Sequence, residues 1–490
     1  MRRLLLAAAI TIVSGIALVG LLYQFFGLRV RLDGGGTPRL TFVVDPETQA
    51  AELARHRQVQ RQEFANDDVA PAPTAAARPP GEPTTAATGA AHAAAVATAP
   101  YWTDFRGPFR DGHYRQQPIR TPWPGAGLKP IWKQPIGGGY ASFVIAHGRA
   151  FTIEQRGEQE VVAAYDVATG LELWTNAWNA LFRESLGGDG PRATPTWADG
   201  VVYALGATGE LRALEESSGR VIWRKNILDD NRAMNLDWGM AASPLVVDET
   251  VVVLPGGPDG RSVVAYSRKT GARVWSALSD KQAYSSPMLV TLAGVRQLLV
   301  FSAKRLVGLT PDRGELLWEY PWRTDFDINA GQPVVVGADR VFLSSGYGAG
   351  GAVIELAPSP PQEPTPYVAQ FTVREIWRNN RMKNTFTSSV VHDGFIYGLD
   401  ESILACLDAA TGELRWKGGR YGHGQVLLAS GYLIVLTENG DLALVRATPE
   451  RHEELVRFPA IEGKTWNHPA MADGYLLIRN LAEMAAFDLR

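Results

Sequence analysis

The sequence predicts an all-β fold, an eight-bladed β-propeller behind an N-terminal transmembrane helix and a disordered linker, and three observations predict the propeller. A glycine is followed four residues later by tryptophan in TGLELW ending at Trp174, SGRVIW at Trp223, TGARVW at Trp275, RGELLW at Trp318 and TGELRW at Trp416. Ten residues before each tryptophan stands a small side chain, Ala164, Ala213, Ala265, Gly308 or Cys406. Each unit therefore holds a hairpin with the small residue roughly opposite the indole and the glycine in the left-handed turn position. Weaker copies end at Ile376-Trp377 and at Val456-Arg457-Phe458, where phenylalanine replaces tryptophan. Unit ends are spaced from 39 residues (377 to 416) to 59 (318 to 377), the size of a four-stranded blade.

The elements follow in chain order. After Met1-Arg2-Arg3, an uncharged run from Leu4 to Leu28 is long enough as a helix, about 37 Å, to cross a hydrocarbon core of about 30 Å. It exceeds the apolar region of a cleavable signal, which favours an uncleaved anchor over residues 1–32. Arg2 and Arg3 on one side balance Arg29 and Arg31 on the other, so the expected topology, a single-pass inner-membrane protein with its propeller on the periplasmic or extracytoplasmic side, rests on the anchor-plus-stalk layout. Residues 33–68 form a juxtamembrane segment. There Asp45-Pro46-Glu47 signals a helix start leading into a polar stretch to about Phe64. Residues 69–100, almost all Ala, Pro, Thr and Gly, cannot bury a core and read as a disordered linker that holds the propeller off the membrane.

Residues 101–490 are the propeller. Within each unit, alternating or β-branched runs such as Leu245-Val246-Val247 and Thr250-Val251-Val252-Val253 are separated by Asp/Gly turns. The chain stops after the third strand of an eighth unit, at Phe487-Asp488-Leu489. Leu128-Lys129-Pro130-Ile131-Trp132 supplies the missing outer strand, because Trp132 precedes Trp174 by one period. That strand closes the ring and removes an exposed edge. The insertion Pro358 to Pro366, PSPPQEPTP, reads as an excursion from blade five.

Charge and composition exclude some functions. A net charge of −3 with no basic tract argues against a nucleic-acid partner. The single cysteine, Cys406, fills the small-residue position opposite Trp416 and reads as packing rather than a nucleophile. No HExxH or paired-histidine spacing points to zinc, and the glycine-rich stretches at 137–139 and 346–351 lack the Lys-Ser/Thr of a P-loop.

The T/S-G-x-x-x-W repeat resembles the pyrroloquinoline-quinone-type propeller family, seen in quinoprotein alcohol dehydrogenases and in BamB-type assembly factors. Trp102-Thr103-Asp104-Phe105-Arg106-Gly107-Pro108-Phe109-Arg110-Asp111-Gly112 is similar to the opening of many bacterial proteins with this repeat. The resemblance implies the fold and two functions. One is a binding or assembly module for an envelope protein partner or a small ligand. The alternative is a dehydrogenase of alcohols using pyrroloquinoline quinone with Ca2+. The enzymes stack their cofactor on a ring of adjacent disulfide-bonded cysteines, which one cysteine cannot form, and no CxxCH is present for haem. The assembly factors carry a lipidation cysteine that this chain lacks.

Loops entering the innermost strands surround one mouth of a propeller channel. Before blade two these bring Arg183, Glu184, Asp189 and Arg192, then Asn235, Leu236, Asp237 and Trp238, then Tyr284. Later mouths bring Asp325, Asp327 and Asn329, then Arg381, Lys383 and Asn384, then Tyr421 and His423, then Trp466, Asn467 and His468. One reading is that these are polar turn caps. The other is a ligand funnel in which Asn235, Asp237, Asp325 and Asp327 offer metal oxygens, and Asp237, Asp325 or Asp327 a catalytic base. Arg192, Trp238, Arg381, Lys383, Asn384, His423, Trp466, Asn467 and His468 would join Asn235 in cofactor binding.

Overall fold

The computed structural model describes residues 19, 28–32, 38–42, 46–67, 101–184, 187–359 and 371–490. The apolar run expected to cross a membrane and the 69–100 linker lie outside them, save Val19 and Leu28. Among the described residues no helix is long and apolar enough to cross a membrane. Leu28–Leu32 pairs as an antiparallel strand with Pro38–Phe42, so the last five residues of the 1–32 segment are strand rather than helix. The expected second helix is present as Pro46–Asp67.

Eight sheets form the propeller. Seven run in chain order, from Val144–Ala146, Arg149–Arg156, Gln159–Asp166 and Glu172–Asn179 in blade one to Gln425–Ala429, Tyr432–Leu436, Asp441–Arg446 and Glu454–Pro459 in blade seven. Blade eight is completed from the other end of the domain. Its strands Ala470–Ala472, Tyr475–Arg479 and Glu483–Asp488 are joined by Trp132–Pro135, which runs antiparallel from Glu483↔Pro135 to Ala486↔Trp132. The expected closing strand thus exists, shifted toward its C-terminal end. His113–Tyr114 adds a fifth, parallel strand inside blade seven.

The register explains the repeat. Ala164, Ala213, Ala265, Gly308 and Cys406 stand directly opposite Trp174, Trp223, Trp275, Trp318 and Trp416, as do Val353 and Trp377. Immediately beyond each pair the outer strand skips one residue, for example Leu173, Ile222 and Val274, which turn outward and are exposed. Such a bulge re-aims the neighbouring side chain. It sends the indole over the next blade, where Trp174 donates to Glu216 O at 2.8 Å, Trp223 to Arg268 O at 2.9 Å and Trp416 to Thr448 O at 2.8 Å. Blade seven departs from the expected substitution. Val456, opposite Leu444, holds the tryptophan register, while Phe458, two residues further on, packs against Gly127 ahead of the closing strand.

The core is distributed between blades rather than at the centre. Tyr203, Trp223, Val251 and Val253 pack blade two on three, and Leu444, Phe458, Phe487 and Ile145 belong to a cluster that joins blades seven, eight and one. Cys406 is fully buried in the cluster between blades six and seven.

Candidate functional site

The opening motif 102–112 is a plug. Trp102 O accepts from Ile145 N and Thr103 O from Trp197 N, each at 2.8 Å, in blades one and two. The buried Arg110 guanidinium donates to Ser243 O at 3.3 Å, Pro287 O at 2.9 Å, Thr196 Oγ1 at 3.2 Å and Pro244 O, and is neutralised by Asp104 at 3.0 Å. Arg106 reaches Ser389 O in blade six at 2.7 Å, Gly112 O accepts from Leu428 N in blade seven, and Phe105 meets His468 edge-on at 5.9 Å. One eleven-residue segment therefore contacts blades one to four and six to eight around the axis.

Above the plug, polar side chains just ahead of the inner strands of blades one to six form a run of five caps from blade to blade. Ser142 N donates to Thr194 Oγ1, Thr194 N to Ser243 Oγ, Ser243 N to Ser286 Oγ, Ser286 N to Gln332 Oε1 and Gln332 N to Ser388 Oγ, at 2.7–3.0 Å. Buried backbone donors demand such partners. Four of these residues precede proline, at Thr194, Ser243, Ser286 and Gln332, and that polar-Pro dipeptide is the sequence signal that marks the channel.

A cavity of about 330 Å³ opens above this ring. Phe105 floors it, and Tyr140, Trp238, Tyr284, Tyr347, Phe386 and Trp466 wall it. The aromatics brace one another: Tyr140 stacks on Trp466 at 5.2 Å, Phe386 meets Trp466 at 4.4 Å, and Trp238 meets Tyr284 at 5.7 Å. Trp466 Nε1 is tied to Glu438 Oε1 at 2.9 Å. The cation in the lining is Arg192. It lies over Phe182 and Tyr140, donates to Gly190 O at 2.6 Å and Gly188 O at 2.8 Å, and its pKa is lowered by burial. His468 bonds Val426 O at 3.1 Å, and burial pushes it down to about 3. Burial raises Tyr284 to about 12. Neither ring is poised to move a proton near neutral pH.

The profile of the family described as outer membrane protein assembly factor BamB matches residues 157–418, more than half of the chain. The chain belongs to the BamB family. No curated protein matches it by sequence. Among solved structures it is similar to BamB from Moraxella catarrhalis, at 14% identity and a TM-score of 0.53, covering 74% of this chain and 98% of that one. It is similar to quinohemoprotein alcohol dehydrogenase from Comamonas testosteroni, at 13% identity and a TM-score of 0.54 with 81% of each chain covered. It is also similar to a europium-containing methanol dehydrogenase, at 12% identity and a TM-score of 0.57, covering 80% of this chain and 98% of that one. At such identities these structures share the fold alone.

Within this BamB-family propeller the funnel expected from sequence divides in two. Arg192, Trp238, Tyr284, Trp466 and His468 line the cavity. The others do not. Asp237, Asp325, Arg183 and Arg381 are exposed at the rim, Asp327 pairs with Lys281 at 3.1 Å, and Lys383 pairs with Glu401 at 2.7 Å. Asn235 donates to Ala207 O, Asn384 to Leu399 O, Asn329 to Ser302 O and Asn467 to Gly139 O and Ala141 O, so these amides clamp loop backbone. Tyr421 turns to Glu454 and His452, His423 stacks behind Phe386 at 5.2 Å, and Asp189 accepts from Glu184 N. The reason is that these are turn and loop positions, where Asn and Asp bond locally and the direction of each side chain is set by contacts with neighbouring segments. Phe105 was missed because it comes from the 102–112 segment rather than from a blade loop, and Tyr140, Tyr347, Phe386 and Gln425 because only the folded ring turns them into the cavity.

The proposed metal ligands Asn235, Asp237, Asp325 and Asp327 are therefore not gathered. Among the described residues no three His, Cys, Asp or Glu side chains group to hold a metal ion. A quinone with calcium would need oxygen ligands and a carboxylate base, whereas among the described residues the lining contains no carboxylate, and Arg192 is engaged by backbone carbonyls and pairs with Glu184 at 3.8 Å. The residues present do not fit that group.

Proposed function

We propose that this chain is a membrane-tethered, extracytoplasmic binding or assembly module whose mouth cavity receives an apolar, preferably aromatic, group of a protein partner or small ligand. The carrying observation is the cavity of about 330 Å³ lined by Phe105 and six further aromatic side chains. Braced rings present apolar area at little entropic cost, and a concave apolar site with a few polar groups is the common form of a binding pocket. The apolar run Leu4–Leu28 supports the tether and the inner-membrane location. Membership of the BamB family supports a protein partner.

The test titrates the full chain with peptides carrying single aromatic side chains, read by tryptophan fluorescence, beside pyrroloquinoline quinone plus calcium with dye reduction by a panel of alcohols. Saturable peptide binding that Phe386→Ala weakens at least tenfold is expected. Robust alcohol-dependent dye reduction would refute the binding-module reading in favour of the quinoprotein dehydrogenase.

A further inference from the structure

The helix Pro46–Asp67 has no strong apolar face, yet it lies on the propeller. Its contacts converge on the seam between blades eight and one, where the ring is closed by a strand from the other end of the domain. Leu53 and Arg57 are each only 2% exposed. The Arg57 guanidinium donates to Gln134 Oε1 at 3.0 Å and Pro135 O at 2.9 Å, both on the closing strand. It also lies 3.5 Å from Glu172 on the outer strand of blade one and over the Tyr165 ring. Gln60 reaches Gln134 Oε1 at 3.1 Å, Arg61 approaches Glu172 at 3.6 Å, and Gln49 donates to Leu481 O in blade eight at 2.8 Å.

Glu172 is itself 6% exposed and is held by Arg156 at 2.5 Å. The helix thus inserts a buried cation between the two strands that meet at the closure, and a buried pair of this kind is costly to break from either side.

We propose that this helix is a clasp that locks the blade eight–blade one seam and joins the propeller directly to whatever precedes residue 46. The expected role of residues 69–100 changes as a result. They connect a helix already bound to the propeller with the start of the same propeller, so their length does not set the distance between the domain and a membrane. The spacer is the shorter segment before residue 46.

A protease recognition site inserted at Ala86 in the full chain separates helix from propeller covalently. After cleavage, the two fragments are expected to co-elute in size-exclusion chromatography at low micromolar concentration. Leu53→Asp combined with Arg57→Glu should release the N-terminal fragment, with the propeller's circular dichroism spectrum unchanged. Glu52→Lys, on the exposed side of the helix, should leave the fragments together. Separation of the cleaved parent protein overturns the clasp, as does equal retention of the double variant or release by Glu52→Lys.

Discussion

Trp132 lies over Gly170: its indole Nε1 donates to Val167 O at 2.9 Å, and a Cβ on Gly170 would come within 2.8 Å of the ring. The same close approach of indole to glycine recurs between Trp223 and Gly271 and between Trp275 and Gly314. The glycine of each T-G-x-x-x-W motif is therefore held by two demands, the left-handed turn and the indole of the preceding blade. Trp132 makes this contact from the closing strand, so it carries the repeat across the point where the chain's two ends meet.

Gly170→Ala separates the two demands. Gly148 has nearly the same backbone angle, φ +72 against +73, but nothing lies within 4 Å of an added Cβ. Gly148→Ala should cost about 1–2 kcal/mol from backbone strain. Gly170→Ala should cost a further ~1–3 kcal/mol by displacing the Gln134 amide and the Trp132 indole. Denaturant melts of the two variants give the difference directly.

Cys406 tests the hairpin interior. Burial pushes its thiol up to about 12, consistent with packing opposite Trp416 rather than reactivity. Cys406→Leu should cost roughly 1–3 kcal/mol by overpacking, and Cys406→Ala well under that. Trp416→Ala should cost about 3–5 kcal/mol. An inactive but fully stable Cys406→Ala protein would overturn the structural role.

The plug is expected to behave as a unit. Arg110→Ala leaves Asp104 buried without its partner and several inner-strand carbonyls without a donor, and should cost about 3–5 kcal/mol. Arg110→Met with Asp104→Asn should cost less than the sum of the single changes, because neither variant then strands a charge. A double-mutant cycle from chemical denaturation measures the coupling.

Glu160 supplies a pH dependence. Its side chain is buried between blades one and two, Oε1 accepts from Ala207 N at 2.8 Å, and burial raises the carboxyl from 4.5 to about 7. The folded chain keeps a proton that the unfolded chain has released. The stabilisation is complete below about pH 4.5 and is lost as the pH rises through 7. His468 acts in the opposite sense at lower pH, so the readout is the difference between parent and Glu160→Gln. That difference should move in the variant's favour from pH 5 to pH 8, by on the order of 2–3 kcal/mol. A difference independent of pH would show that Glu160 does not titrate in that range.

The sequence by itself determined the propeller, its eight blades and its closure. Glycine, small residue and tryptophan are local to one hairpin, and their period counts the hairpins. It also placed Pro46 at a helix start and Cys406 in a packing position, because capping and cross-strand pairing act over a few residues. The cavity was only half legible. Trp238, Tyr284 and Trp466 were found because loops before inner strands must border the mouth, but which side chain of a loop faces the axis depends on strand register and on the neighbouring blade. Asp237, Asp325 and Asp327 carried the right chemistry, but on turns that leave the first two exposed and pair the third with Lys281. The plug made by Arg106 and Arg110 and the seating of Arg57 on the closing seam were decided by tertiary structure alone. Each joins residues tens to hundreds of positions apart, and no local pattern encodes a contact that exists only after the ring has closed.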